Sequence, residues 1–323
     1  MNLKIIMMFI KNNKFILTIL LMFLPFIGQA QNSIILKNGA GSTYNATLPL
    51  DLYKTIKPIA DIESSELKEI LVTEINKNKT WKRLVRGRQM SIGIVDLSDS
   101  TKFKYAGVND NFMMYAASLP KIAILLAAMD ALDKGELKDS KEVREDLRLM
   151  ISKSNNRAST RMIDRLGYKK IEEVLRAPKN KLYDEELGGG LWVGKRYAAA
   201  GARNPDPIKG LSHAATTRQV CSFYYQLALG NLISTEKSME MLEIMKDPAL
   251  HHKFVNTLDV VAPKADVYRK SGSWRNYHSD SALVWGPDRK YIIVALIDND
   301  YGEQIIRNLV RPLEKVLKKS RSL

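Results

Sequence analysis

Hydrophobic positions recur with two different periods along this chain. They alternate in two regions and follow a helical spacing elsewhere. The predicted strands cover residues 89–96, 102–108, 267–271, 281–285 and 291–298. The predicted helices begin near residue 61 and then cover 119–132, 142–151, 158–166, 171–175, 216–229, 235–245 and 303–318. Strands near both chain ends flank a helical block, so the order of elements predicts a mixed α/β fold of the α+β type. In this fold, an antiparallel sheet is built from both chain ends and flanked by terminal helices. An all-helical subdomain is inserted between the two parts of the sheet.

The same pattern predicts how the chain is divided. Residues 31–60 have no clear period and form a predicted extended lead-in. Residues 61–117 and 256–323 form the predicted sheet-containing part of one domain, and residues 118–255 form its helical part. Within the helical part, 119–132 is apolar on every side, which is typical of a helix buried in the middle of a domain.

The first thirty residues have the pattern of a secretory signal peptide. Three lysines and no acidic residue precede the apolar run 15–27, and the small residues Gly28 and Ala30 follow it, as cleavage after Ala30 requires. Pro25 interrupts this run, which is short for a membrane-spanning helix. The sequence therefore predicts a secreted or periplasmic protein that keeps no stable membrane anchor after cleavage.

Composition narrows the classes of partner. The chain has 323 residues, of which 45% are hydrophobic and 26% charged, as in ordinary globular proteins. Its 50 basic and 35 acidic residues give a net charge of +15, but this charge is spread along the chain and no zinc-finger or RNP pattern occurs, so no nucleic-acid partner is predicted. Cys221 is the single cysteine, which excludes an intramolecular disulfide, and a buried inert thiol is predicted. His251 and His252 are adjacent and cannot both face one metal ion from a helix, and neither a metal nor a cofactor is predicted.

One serine and one lysine stand at the start of the apolar helix. Residues 118–121 read Ser-Leu-Pro-Lys, and residues three apart share a helix face, so the Ser118 hydroxyl and the Lys121 amine are predicted to lie close together. A lysine in a low-dielectric site has a lowered pKa and can accept the proton of a serine nucleophile. The alternative is that Ser118 is an ordinary helix cap. The same spacing recurs at 65–68 and 234–237, where capping or solvent-facing serines are predicted.

Two further triplets occur once each in the chain. Residues 154–156 read Ser-Asn-Asn between two predicted helices, where a helix cap is the alternative. Residues 270–272 read Lys-Ser-Gly at the end of a predicted strand, where an exposed lysine is the alternative. Ser-x-x-Lys, Ser-x-Asn and Lys-Ser/Thr-Gly, in this order, form the signature of penicillin-recognising enzymes.

The three motifs and their flanks carry a resemblance to a known family. The chain resembles the class A β-lactamase-related serine hydrolases, within the penicillin-recognising group, over about residues 60–318. The residues that carry it are Tyr-Ala-Ala-Ser at 115–118, Leu-Met-Ile-Ser-Lys-Ser-Asn-Asn at 149–156 and Lys-Ser-Gly-Ser-Trp at 270–274. The resemblance implies a β-lactamase/transpeptidase-like fold.

The resemblance also implies roles for the first two motifs. Ser118 is implied to be the acylated nucleophile and Lys121 its proton partner. Ser154 is implied to carry a proton towards the leaving nitrogen, and Asn156 to bind Lys121 and the substrate amide.

The third motif is implied to bind the substrate. Lys270 and Ser271 would hold a substrate carboxylate next to Gly272. The backbone N–H groups of Ser118 and Ser273 would form the oxyanion hole, which is often worth a few kcal/mol.

One loop departs from the class A pattern. Those enzymes carry a Glu-x-x-Leu-Asn loop whose glutamate activates the water that deacylates the enzyme. Residues 183–188 here read Tyr-Asp-Glu-Glu-Leu-Gly, so Asp184 and Glu185 are the candidates for that base, with Glu186 beside them. Asp184 is one methylene shorter than glutamate and Gly188 replaces the asparagine, so we expect intact acylation and weak deacylation.

Three functions remain open from the sequence. The first is a secreted serine hydrolase that is acylated by a β-lactam or a similar amide or ester and then hydrolyses the acyl-enzyme, which bears on antibiotic resistance only if release is fast. The second is a peptidoglycan D,D-peptidase or penicillin-binding protein with slow release. The third is a non-catalytic envelope protein on the same scaffold. We expect a monomer whose partner is a small β-lactam or a peptidoglycan-like substrate.

Overall fold

The computed structural model describes residues 34–37, 43–46, 48 and 56–322. The chain divides into two compact units, Met1–Thr47 and Leu48–Leu323. In the first unit, strand β1 (Ile34–Lys37) pairs antiparallel with β2 (Thr43–Ala46). The predicted signal peptide, residues 1–30, lies outside the described residues.

The second unit contains the predicted strands and helices, with additions. Its strands are β3 (Met90–Asp96), β4 (Lys104–Val108), β5 (Met114–Tyr115), β6 (Tyr183–Asp184), β7 (Gly189–Gly190), β8 (Trp192–Val193), β9 (His213–Ala215), β10 (Asp266–Trp274), β11 (Tyr277–Gly286) and β12 (Arg289–Asp298). Its helices are α1 (Ser65–Asn76), α2 (Lys79–Arg86), α3 (Lys121–Asp133), α4 (Lys141–Ser152), α5 (Asn156–Arg176), α6 (Thr217–Ala228), α7 (Thr235–Met245), α8 (Phe254–Val261) and α9 (Gly302–Arg321), and a 3-10 turn (Ile59–Ile62) precedes α1. Helices α2 and α8 were not predicted. The two helices predicted at 158–166 and 171–175 both lie within α5, where the non-helical backbone of Gly167 (φ 75°, ψ 155°) separates two helical segments.

The predicted sheet from both chain ends is confirmed. Its strand order is β10-β11-β12-β3-β4, and every neighbouring pair is antiparallel. Strand β12 pairs with β3, with Val294 opposite Gly93. The three carboxyl-terminal strands therefore continue the sheet of the β3–β4 hairpin, which lies about two hundred residues earlier in the sequence. This arrangement places the 270–272 motif on an edge strand, β10, where one side is free to meet the helical part.

Helices cover both faces of this sheet. Ile92 and Ile94 of β3 belong to the core cluster that also contains Leu71 of α1 and Leu309 of α9, all fully buried. Gly93, between the two isoleucines, faces the other way because side chains alternate along a strand. A Cβ at Gly93 would lie 2.6 Å from the Cys221 sulfur of α6, so glycine permits α6 to pack directly on the sheet.

Two predictions about buried residues are confirmed in this core. Cys221 is fully buried as a free thiol, and burial raises its pKa well above the usual value. Every side chain from Lys121 to Ala131 of α3 is buried, as its almost wholly apolar sequence predicted, and Lys121 is the one cation among them. Among residues 56–322, no helix is both long and apolar enough to cross a membrane.

Candidate active site

The chain enters α3 through a strained turn that leaves Ser118 uncapped. The Ala116 N–H donates to the carbonyl of His213 on β9 (2.9 Å), and Ala117 then adopts a left-handed φ of 50°, which is uncommon for a residue other than glycine. Pro120, not Ser118, is the N-cap of α3, and no side chain caps this helix. The Ser118 hydroxyl makes no hydrogen bond to any other described residue, so the ordinary-cap alternative is wrong for this serine.

Strand β10 lies directly against this turn. A Cβ at Gly272 would lie 2.4 Å from the Ala116 carbonyl oxygen and 2.5 Å from the Ser118 nitrogen, a space that only glycine leaves open. The Ser279 hydroxyl of the neighbouring strand donates to the same Ala116 carbonyl (2.8 Å). The glycine of the third motif therefore has a steric role, which is to bring β10 next to the backbone of Ser118.

Lys121 is fully buried and directed at the second motif. Its Nζ donates to the Ser154 carbonyl (2.7 Å) and to Asn156 Oδ1 (2.8 Å), and lies 3.4 Å from Ser154 Oγ. Burial lowers the pKa of Lys121 to about 7. No carboxylate among the described residues forms an ion pair with this ammonium, so no counter-charge offsets the loss of hydration.

The N-cap of α5 uses only the middle residue of the second motif. Asn155, in the middle of the triplet, is the N-cap of α5, and its side chain accepts from the Ala158 N–H (2.9 Å). Ser154 adopts a left-handed φ of 54°, which turns its carbonyl towards Lys121. The predicted cap is thus present, but it occupies only Asn155 and leaves Ser154 and Asn156 to Lys121.

Lys270 reaches the same serine from the opposite side. Its Nζ donates to Ser154 Oγ (2.9 Å) and to the carbonyl of Ser271 (2.7 Å), and its side chain is 1% exposed, so the exposed-lysine alternative is wrong. Burial lowers the pKa of Lys270 well below the usual value, and the charge of Lys121 adds to the effect. Ser154 Oγ thus bridges two lysines whose pKa values are both lowered.

A third buried lysine was not predicted. Lys253 precedes α8 with a left-handed φ of 57°, and its Nζ donates to Ser273 Oγ (2.8 Å), to the Ser279 carbonyl (3.1 Å) and to the Gly272 carbonyl. Burial lowers the pKa of Lys253 to about 8. These hydrogen bonds hold the end of β10 in place. The sequence did not indicate this role, because a single lysine before an apolar segment matches no motif.

The two carboxylates predicted for deacylation lie in other contacts. Asp184 Oδ1 accepts from the Glu186 N–H (3.0 Å), and Glu185 forms an ion pair with Arg176 of α5 (2.8 Å). None of the described contacts links either residue to Lys121, Ser154 or Lys270.

An aromatic pair that the sequence did not reveal lies beside Lys121. The Tyr197 ring centroid is 4.4 Å from Lys121 Nζ, and its hydroxyl donates to the Ala117 carbonyl (3.2 Å). The ring stacks on His213, with centroids 4.1 Å apart and planes 4° from parallel. Burial lowers the pKa of His213 to about 3, helped by the charge of Lys121, so this imidazole is neutral.

The arrangement therefore brings the three motifs together. Hydrogen bonds join Lys121, Ser154, Asn156 and Lys270 directly, and the backbone of Ser118 is joined through the contact with Gly272. Within the described part of the chain, no group of three or more His, Cys, Asp or Glu side chains is placed to hold a metal ion. The chemistry that this cluster supports is proton transfer at a serine between buried amines.

Solved structures with a similar architecture include β-lactamases and PBP-A. A β-lactamase from Sphaerobacter thermophilus has a TM-score of 0.59 at 16% identity, with 77% of this chain and 97% of that chain covered. PBP-A has a TM-score of 0.57 at 18% identity, with 80% and 97% covered. A variant of the last common ancestor of Gram-negative class A β-lactamases has a TM-score of 0.58 at 15% identity, with 74% and 98% covered. These similarities confirm the predicted β-lactamase/transpeptidase-like fold.

The sequence comparisons give the family. No curated protein matches the chain. The model of the beta-lactamase enzyme family matches residues 76–146 and 139–317, which include all three motifs and most of the second unit. The chain therefore belongs to the beta-lactamase enzyme family.

Proposed function

We propose that this protein is an exported serine hydrolase in which Ser118 attacks the carbonyl carbon of a β-lactam, or of a related amide or ester, and forms an acyl-enzyme. The observation that carries the proposal is the burial of Lys121, one helical turn after Ser118, with amide and hydroxyl partners but no carboxylate. A pKa of about 7 leaves a large share of this amine neutral at neutral pH, when it can accept a proton.

The acylation step uses groups that this site supplies. The neutral amine of Lys121 takes the Ser118 proton while Oγ bonds to the carbonyl carbon, whose oxygen becomes an oxyanion. Backbone N–H groups of Ser118 and Ser273 are the proposed donors to that oxygen. The C–N bond then breaks, and the proton passes from the Lys121 ammonium through Ser154 Oγ to the leaving nitrogen, which Asn156 helps to hold.

Charge at the site favours an anionic substrate. Lys121 and Lys270 meet at Ser154 Oγ, and Lys253 lies behind Ser273, so three amines converge on one end of β10. A substrate carboxylate next to Lys270 stabilises the ammonium form of that lysine, which burial alone disfavours. We assign the carboxylate of the substrate to Lys270, Ser271 and Ser273, next to Gly272, which matches both a β-lactam and the carboxyl terminus of a peptidoglycan-like peptide.

Export accords with this substrate class. The basic start, the apolar run 15–27 and the small residues before residue 31 predict a cleaved signal peptide, and peptidoglycan and β-lactams are met outside the cytoplasm. We therefore place the mature protein in the periplasm or outside the cell, as a monomer.

A second function is a D,D-peptidase or penicillin-binding protein that releases β-lactams slowly. The contacts of Asp184 and Glu185 favour it, because Asp184 accepts from the backbone of its own loop, Glu185 pairs with Arg176, and none of the described contacts joins either to the lysine cluster. The two functions share the acylation step and differ in the lifetime of the acyl-enzyme.

Intact-protein mass spectrometry after incubation with benzylpenicillin tests the shared step. We expect an increase equal to the mass of the whole antibiotic on the parent protein, located on Ser118 by peptide mapping. Ser118→Ala removes the increase, and Ser234→Ala, which changes the serine of another Ser-x-x-Lys sequence, keeps it. An unmodified parent protein that also fails to hydrolyse the antibiotic contradicts the proposal.

A further inference from the structure

Helix α2 presents a dense group of positive charges on one face. Residues 77–88 contain six basic residues and no acidic residue. Residues three, four and seven apart share a helix face, so α2 carries one exposed row of four cations, the α2 stripe: Lys79, Lys82, Arg83 and Arg86. The opposite face packs into the core through Trp81 and Leu84.

The α2 stripe has no counter-charge among the described residues. None of its four cations forms an ion pair with a described carboxylate, whereas Arg144, Arg161 and Arg165 of the helical part all pair with carboxylates at 2.5 Å. Like charges three and four residues apart destabilise a helix, and Lys79 lies in the first turn, where the helix dipole disfavours a cation. The stability of α2 therefore does not account for the stripe.

Both ends of α2 are fixed, so the stripe has a defined orientation. Asn78 Oδ1 caps the start by accepting from the Trp81 N–H (3.1 Å). At the other end, Asn109 Nδ2 donates to the carbonyls of Val85 (2.7 Å) and Met90 (2.9 Å), which joins α2 to the start of β3. The four cations are thus held on a rigid element.

Positive charge continues beyond the end of α2. The guanidinium carbon of Arg88 lies 5.2 Å from the ring centre of Phe112, and Lys209 Nζ lies 3.2 Å from the same centre. Burial lowers the pKa of Lys209, and the charge of Arg88 adds to the effect. Two further cations therefore lie close together just after the stripe.

We propose that the α2 stripe docks this protein reversibly on the anionic phospholipid surface of a membrane. Lysine and arginine side chains bind phosphate groups, arginine with two parallel hydrogen bonds. The stripe spans about 10 Å of helix, so its cations meet several headgroups of a planar surface at once. Because the apolar face of α2 is occupied by the core, the contact is electrostatic and needs no insertion into the bilayer.

This inference goes beyond the proposed function. The proposed export brings the protein next to a membrane, but docking through α2 does not depend on acylation of Ser118. Each interaction can therefore fail while the other stands.

Co-sedimentation of the full-length protein with vesicles tests the docking. One set of vesicles contains phosphatidylglycerol, and the other is neutral phosphatidylcholine, which reports any binding through the apolar run 15–27. We expect the parent to bind the anionic vesicles more tightly at about 0.1 M salt and to be released at about 0.5 M, where charges are screened more strongly. Replacement of all four stripe cations by glutamine should weaken this binding at least about a hundredfold, because each contributes about fivefold.

A matched control removes the same charge from exposed positions of the helical part, by Lys138→Gln, Lys141→Gln, Arg148→Gln and Lys169→Gln together. We expect this control to bind anionic vesicles within about fivefold of the parent. Equal losses in the two variants overturn the role of α2, because binding would then follow net charge. If the stripe variant does not fold, as judged by circular dichroism, the single variants Lys82→Gln and Lys138→Gln decide: only the first should weaken binding.

The parent alone can also overturn the inference. Equal binding to both kinds of vesicle, or binding to soluble polyphosphate but not to anionic vesicles, contradicts docking on a phospholipid surface. The stripe variant and its control should both be acylated by benzylpenicillin at the rate of the parent. Loss of docking with intact acylation therefore leaves the proposed function standing, and docking without any adduct on Ser118 rejects only that function.

Discussion

Two copies of the Ser-x-x-Lys sequence have opposite environments in this molecule. At the start of α7, Ser234 Oγ accepts from the Lys237 N–H (3.1 Å), so this serine is the helix cap. The Lys237 ammonium, 16% exposed, pairs with Glu240 at 3.0 Å. At the start of α3, Ser118 caps nothing, and Lys121 is fully buried among polar but uncharged partners.

The difference comes from the residues around the motif. Pro120 takes the cap position of α3, which leaves the Ser118 hydroxyl without a backbone partner. Three residues after the lysine, α7 has Glu240 where α3 has Ile124, so one ammonium keeps a counter-charge and the other does not. An ammonium that loses water without gaining a carboxylate has a lowered pKa, as burial gives Lys121. The Ser-x-x-Lys spacing alone therefore does not identify a catalytic base.

The largest expected difference is in the acylation rate, when Lys121 or Lys237 is replaced. Lys121→Gln keeps amide donors for Ser154 and Asn156 but cannot accept the serine proton, so acylation of Ser118 should slow by a factor of about 10² to 10⁴. Lys237→Gln is the matched control and should leave the rate unchanged, because its ammonium lies in an ordinary ion pair. Stopped-flow measurement with a chromogenic cephalosporin gives both rates. Equal rates in the two variants would show that Lys121 is not the base.

The pH dependence of acylation gives the next contrast. Because the neutral form of Lys121 is the base and its pKa in the free protein is about 7, the second-order rate constant of acylation, measured at low substrate concentration, should rise about tenfold per pH unit below that value and level off above it. Lys270 lies next to the same serine and also has a lowered pKa, so Lys270→Gln shows whether it contributes to the profile. Lys237→Gln should keep the profile of the parent. A rate that does not change between pH 5 and pH 9 would contradict the assignment.

Local period predicted the regular elements well where the pattern was strong. Helix α7 was found at its predicted bounds, and the β3–β4 hairpin and the three carboxyl-terminal strands pair as their alternation indicated. Helix α2 was missed because it is short and mostly polar. Its apolar face consists of Trp81, Leu84 and Val85, which spans little more than one turn, so the helical period is not repeated often enough to be recognised.

In the candidate site, too, some residues could be predicted from the sequence and others could not. The motif residues could be predicted because short sequences with fixed spacing carry them, and the structure brings Lys121, Ser154, Asn156 and Lys270 together. Their catalytic roles stay predictions. Lys253 and Tyr197 could not be found, because their contacts join residues far apart in the chain and no local pattern marks them.

The smallest expected difference is in stability, when the hydroxyl of Ser118 or of Ser234 is removed. Ser234→Ala removes the cap of α7 and should lower the free energy of unfolding by about 1 kcal/mol, as helix caps usually contribute. Ser118→Ala removes a hydroxyl that caps no helix and hydrogen-bonds to none of the described residues, so it should change stability less. Urea denaturation with an unchanged slope measures both values. A larger loss of stability in Ser118→Ala than in Ser234→Ala would mean that this serine is structural, and that the two copies of the motif differ less than their surroundings indicate.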